Sequence, residues 1–62
     1  MKYKFRKGEK VKVSGEYACK FRNGATILDK KLICIIPHYY VTTRRYFIEL
    51  TEWIDEVDLH KW

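Results

Sequence analysis

Sixty-two residues make one domain, and a chain of this length hides only about 60% of its unfolded surface on folding, which leaves little room for a deep cleft screened from water. With 47% hydrophobic and 16% aromatic residues, one Pro and three Gly, the composition excludes a disordered tail, and no apolar run approaches the roughly 18–20 residues of a membrane helix. The net charge of +5 raises nucleic acid as a partner, while two cysteines are too few for a disulfide framework.

Residues 2–13 alternate: Tyr3 and Phe5 against Lys2, Lys4 and Arg6, then Val11 and Val13 against Lys10 and Lys12 after Lys7-Gly8. Period two with charge on the other side predicts a half-buried strand near a sheet edge. Lysines alternating with apolar residues, with no apolar stretch after them, do not make a signal peptide, and a cytoplasmic location is expected. Residues 15–24 have no period and end in Asn23-Gly24, the strongest turn signal present, so they read as a loop presenting Tyr17 and Phe21. After Ala25–Leu28 and the polar Asp29-Lys30-Lys31, the run Leu32–Ile36 is short, continuous and β-branched. It predicts a central strand buried on both faces and ended by Pro37.

Tyr39–Val41 and Tyr46–Leu50 flank Thr42-Thr43-Arg44-Arg45 and predict a hairpin with those four residues at its tip. Thr51-Glu52 reads as a short turn, Trp53-Ile54 as a last core strand, and residues 55–59 as one helical turn or a final short strand. No segment carries a helical period over ten residues or more. The expectation is an all-β fold in a single domain over residues 1–62: five or six short strands closed into a small barrel, which removes exposed edges.

The order of these features resembles the prokaryotic SH3-like barrel. Lys7–Val13 is similar to the "Gly, acidic, x, Val, x, Val" first strand of such domains, and the 15–24 loop stands where an RT-type loop would be. The tail Ile48–Leu59 is similar to their closing pattern of strand, Trp, hydrophobic, two acidic residues and Asp-Leu. Between them, Asn23–Ile27 has one glycine where the family commonly has two, and the 28–38 insert is long. The resemblance implies a binding module of the kind that bacterial and phage genomes encode. The same barrel serves protein docking, nucleic-acid binding and cell-wall binding.

Catalytic machinery is thin: no Ser/His/Asp spacing, no phosphate-cradling glycine loop and no metal-ligand run. His38 beside Pro37 reads as a loop or rim residue, and His60 as solvated. The five carboxylates over residues 49–58 read as a solvated face. Cys19, Cys34, His38 and His60 are separated by 14, 3 and 21 residues, which matches no zinc knuckle or finger. Neither an enzyme nor a cofactor or metal site is expected.

Residues 1–12 carry six basic groups and one acidic group, whereas residues 49–62 carry one basic and five acidic. If first and last strands adjoin, much of the N-terminal charge should face the acidic tail. What stays uncompensated is Lys20, Arg22, Lys30, Lys31, Arg44 and Arg45, interleaved with Tyr17, Phe21, Tyr39 and Tyr40. The expected ligand-binding set is Tyr17, Phe21, Lys30, Lys31, Tyr40, Arg44 and Arg45, docking on a protein or peptide. The alternatives are nucleic acid, held through Arg44, Arg45, Lys30 and Lys31 on phosphates, and peptidoglycan, suggested by the closing Trp53–Leu59 pattern.

Overall fold

The structure is a computed structural model that describes residues 3–62, with the Arg45 side chain outside the described set. Five antiparallel strands form one sheet: β1 (Lys10–Val13), β2 (Ala25–Ile33), β3 (Ile36–Arg45), β4 (Ile48–Asp55) and β5 (Leu59–Lys61). Their spatial order is β4-β3-β2-β1-β5. Two 3-10 turns, Gly15–Tyr17 and Glu56–Asp58, precede β2 and β5. The all-β expectation holds, and so does a helical turn near the C-terminus. Residues 55–59 supply both the turn and the start of a strand.

Every strand contributes to one apolar cluster: Val11, Ala25, Ile27, Tyr39, Val41, Ile54 and Leu59, joined by Phe5 and Phe21 from the loops. A single sheet can bury one face against itself only by curling. β1 joins β5 to the sheet in the register Val11↔Lys61, Lys12↔His60 and Val13↔Leu59, which leaves β4 and β5 as its two edge strands. Each fully buried aliphatic or aromatic side chain in such a core is worth roughly 1.5–3 kcal/mol. Leu28 is an extra residue in β2: Ile27 faces Val41, and the next pairing is Asp29 with Tyr40. This bulge resets the alternation. Without it Asp29 would point at the core; with it Asp29 faces outward and Lys30 lies beside the buried Tyr39.

Several local expectations are corrected. The opening strand covers only Lys10–Val13; Lys2 lies outside the described residues, and Tyr3–Glu9 are irregular, with a bend at Lys4-Phe5 and a turn at Lys7-Gly8. Phe5 is buried, and the Lys4 and Phe5 amides donate to the Tyr39 hydroxyl at 2.9 and 3.2 Å in place of a ladder partner. That hydroxyl donates in turn to Glu56 Oε2 at 2.5 Å, so one buried phenol ties the N-terminal segment to the second 3-10 turn. Phe21 is not presented by its loop. It is 2% exposed and part of the core.

The central strand expected over residues 32–36 is absent. β2 runs straight through Asp29-Lys30-Lys31 to Ile33, and Cys34-Ile35 form the two-residue turn into β3. Pro37 therefore continues a strand, opposite Leu32. The run was apolar enough for a core strand, but it projects past the end of the curl, where no second layer covers it. The next hairpin exists with its tip displaced. Thr42, Thr43 and Arg44 are strand residues opposite Thr51, Leu50 and Glu49, and Tyr46-Phe47 make the turn. Tyr46 takes a φ of 58° there, a conformation no glycine was present to announce. Thr51-Glu52 lie within β4 and form no turn.

Gly24 fixes the close of the first loop. Its φ is 86°, and a methyl group in its place would collide with the Trp62 ring and lie 3.0 Å from the Val11 carbonyl oxygen.

Candidate functional site

β3 sets the geometry of the exposed surface. Its ten residues span roughly 33 Å at strand rise, close to the longest dimension of the molecule, 36 Å. The two hairpin tips therefore stand at opposite ends of the fold, and different chemistry gathers at each.

At the β2–β3 tip, Leu32, Ile33, Ile35 and Ile36 are all exposed, Ile35 at 77%. Cys34 is exposed and unbridged. Both turn residues sit in the left-handed region, Cys34 at φ 49° and Ile35 at φ 63°. A two-residue turn with both φ positive normally takes Asn-Gly or Gly-Gly. A β-branched residue there is a real outlier, and such strain costs of order 1–3 kcal/mol. The fold thus holds a strained turn that displays aliphatic side chains to solvent.

At the other end, the 19–24 loop and the β3–β4 hairpin flank two open depressions of about 360 and 430 Å³ that share Asn23, Thr43 and Arg44 as lining residues. Lys20 and Arg22 line the first with Tyr46; Lys10 and Glu49 line the second. Part of the floor is a row across three strands, Lys10 opposite Thr26 opposite Thr42. Glu49 stands at the rim, where Oε1 accepts from the Thr42 hydroxyl at 3.1 Å. Arg22 and Arg44 make no ion pair with any described carboxylate; Lys7 with Asp29, at 3.4 Å, is the one ion pair among the described residues.

The expected cancellation of N-terminal charge by the acidic tail is therefore not found among the described residues. β5 brings His60 and Lys61, rather than the carboxylates, against β1. Lys10 Nζ lies 3.9 Å from the Trp62 ring centre and Lys12 Nζ 5.8 Å, so both basic groups lie over an aromatic face. Asp29 has its carboxyl held below the usual range, first by the Lys30 amide that donates to it and then by Lys7.

The expected ligand-binding set is divided. Arg44 lines the groove. Arg45 ends β3 opposite Ile48, and its side chain lies outside the described set. Lys31 and Tyr40 belong to a third feature on the outer face of the sheet. There Tyr40 stacks on its cross-strand partner Trp53 at 5.1 Å, and Lys31 Nζ lies 4.2 Å from the Trp53 ring centre. Lys30 turns inward, with Nζ 4.7 Å from the Tyr3 ring. Tyr17 packs half-buried on the core, with Lys20 Nζ 5.6 Å from its ring. Phe21 is removed from any binding face by its burial.

Sequence reasoning missed the aliphatic tip, Lys10, Trp53 and the Tyr46-Phe47 turn. The signal for the tip was available: the two apolar stretches on either side of Cys34-Ile35 are short enough to pair across a two-residue turn.

Ser14 Oγ lies 2.9 Å from His60 Nε2 and also donates to the Asp58 carbonyl oxygen at 3.2 Å. Neither depression includes this pair. No group of three or more His, Cys, Asp or Glu among the described residues is placed to hold a metal ion. No described helix is long and apolar enough to cross a membrane. No protein-family model, curated protein or solved structure matches the chain.

Proposed function

We propose that the chain is a non-catalytic binding module of SH3-like type, of the kind that bacterial and phage genomes encode, and that it docks on a protein partner. The observation that carries this reading is the β2–β3 tip. Four aliphatic side chains, Leu32, Ile33, Ile35 and Ile36, stand in water around a turn whose backbone is strained. Contiguous exposed apolar surface on a small domain marks an interaction site. Covering each half-exposed aliphatic side chain contributes roughly 1 kcal/mol, so the tip can supply a useful share of a micromolar affinity. The SH3-like reading rests on the two ends of the sequence. A first strand lying between the second and the last, with a helical turn leading into the last, is compatible with it.

Site-specific photo-crosslinking tests the proposal. A crosslinking amino acid at position 35, in cells that express the chain, should give a discrete protein adduct. That adduct should persist at high salt and disappear in the Ile33→Ser/Ile36→Ser background. Adducts to nucleic acid alone, or a protein adduct indifferent to those two changes, would remove the tip from the interface.

A further inference from the structure

We infer that the free edge of β4 takes up an extended peptide segment rich in lysine or arginine as an added strand, a contact separate from the apolar tip. β4 is an edge strand, paired with β3 in one unbroken register from Ile48 to Asp55 and with no other described strand. Ile48 and Arg45 close a two-residue turn, which makes them a hydrogen-bonded pair, and the pattern alternates from there. Ile48, Leu50, Glu52 and Ile54 therefore direct their amides and carbonyls to β3, while those of Glu49, Thr51, Trp53 and Asp55 point away from the sheet. The Trp53 amide agrees, since it donates to Oε1 of the neighbouring Glu52 at 3.3 Å. Proteins commonly blunt such edges with brevity, proline, lysine or a bulge. The opposite edge, β5, has three residues and carries His60 and Lys61. β4 has eight residues and none of these devices.

The charge of β4 selects the occupant. Glu49, Glu52 and Asp55 are its charged residues, in a chain of net charge +5. None of them makes an ion pair among the described residues; Glu49 accepts from Thr42, and Asp55 from the Val57 amide. A second copy of β4 would set three carboxylates against three across one strand spacing, about 4.8 Å, and like charges so placed repel. A basic strand meets the same carboxylates as counter-ions. Glu49 and Asp55 share one face of β4 by alternation, so a ligand with a cation at every second position places cations beside both. Main-chain bonds supply the affinity of such a contact, and alternate side chains its specificity.

The test uses the purified full chain and a blocked eight-residue peptide of alternating lysine and threonine. Amide hydrogen exchange, followed by NMR with and without saturating peptide, reads the edge directly. The Glu49, Thr51 and Trp53 amides should slow about tenfold or more, because exchange then waits for the added strand to leave. Leu50 and Ile54, already bonded to β3, should change little. Two further peptides carry N-methyl groups, one on every lysine amide and one on every threonine amide. Charge is unchanged, so the form whose methyls face β4 should bind about tenfold more weakly than the form whose methyls face away. Thr51→Pro removes an edge-facing donor without breaking the ladder to β3, and should lose binding with unchanged far-ultraviolet dichroism. Glu49→Gln/Glu52→Gln should weaken binding about fivefold at 50 mM sodium chloride and much less at 500 mM.

Four results would overturn the inference. One is no binding at 50 mM sodium chloride. A second is binding that leaves the Thr51 and Trp53 amides as fast as before. The third is equal affinity of the two N-methylated peptides, which would reduce the contact to net charge. The fourth is equal binding of an alternating glutamate–threonine peptide, which would remove the carboxylates from the recognition. Failure here leaves the crosslinking result at position 35 untouched.

Discussion

Tyr39 is where packing and polarity are joined. Its ring is fully buried, edge-on to Phe5 at 5.5 Å and to Tyr3 at 6.1 Å, and its hydroxyl serves two backbone amides and one carboxylate. Burial, and then the Glu56 carboxylate, raise the phenol above its ordinary value of 10.0. The sign follows from proton binding. Above pH 10 the unfolded chain gives up a proton that the folded chain retains, so stability is complete below pH 10 and declines as pH rises through the folded-state value. Thermal unfolding between pH 9 and 11 should therefore show a falling midpoint, with a flatter fall in Tyr39→Phe. At neutral pH the same substitution leaves the Phe5 amide buried without its acceptor and should cost about 1–3 kcal/mol by denaturant titration. An unaltered midpoint in Tyr39→Phe at neutral pH would mean that the hydroxyl holds nothing together.

At the scale of elements, much of the fold was legible and the reasons for the misses are physical. β1 announced itself by Val11 and Val13 between lysines, and the 15–24 loop by Asn23-Gly24. A two-period pattern continued through Tyr3 and Phe5, but those rings reach the core from an irregular segment, where periodicity carries no information. The 32–36 run shows the converse. Continuous β-branched residues suit a doubly buried strand, and nothing local distinguishes that from a hairpin tip awaiting a partner. Arg44 was legible as an exposed cation, but its convergence with Lys10, which is distant in sequence, was not, because it depends on β1 pairing with β2 and β2 with β3.

The tip also makes a prediction of its own. Replacing Cys34-Ile35 by Asn-Gly supplies residues that accept positive φ. It should stabilise the free chain by about 1–2 kcal/mol while weakening docking, as measured by denaturant midpoint and partner capture. If stability falls instead, the strained turn is not what the tip costs the fold.

Taken whole, the molecule is a small curled sheet with a long central hairpin strand, carrying aliphatic surface at one end and cationic surface at the other. The basic N-terminus and the acidic tail, expected to face and cancel one another, make no ion pair with each other among the described residues. Lysines of β1 lie over Trp62, and the carboxylates of β4 occupy the edge of the sheet. A protein held by the tip would thus sit some 30 Å of strand away from the basic depressions, at roughly 3.3 Å per residue.

The central claim, docking through the aliphatic tip, is tested most directly by capture on immobilised chain at two salt concentrations. Wild type and Ile35→Asp are compared at 50 and 500 mM sodium chloride in extract of cells that encode the protein. The account predicts one protein retained by wild type at both salt concentrations and lost from Ile35→Asp at both. Equal retention by Ile35→Asp, or capture that vanishes at 500 mM, would contradict it.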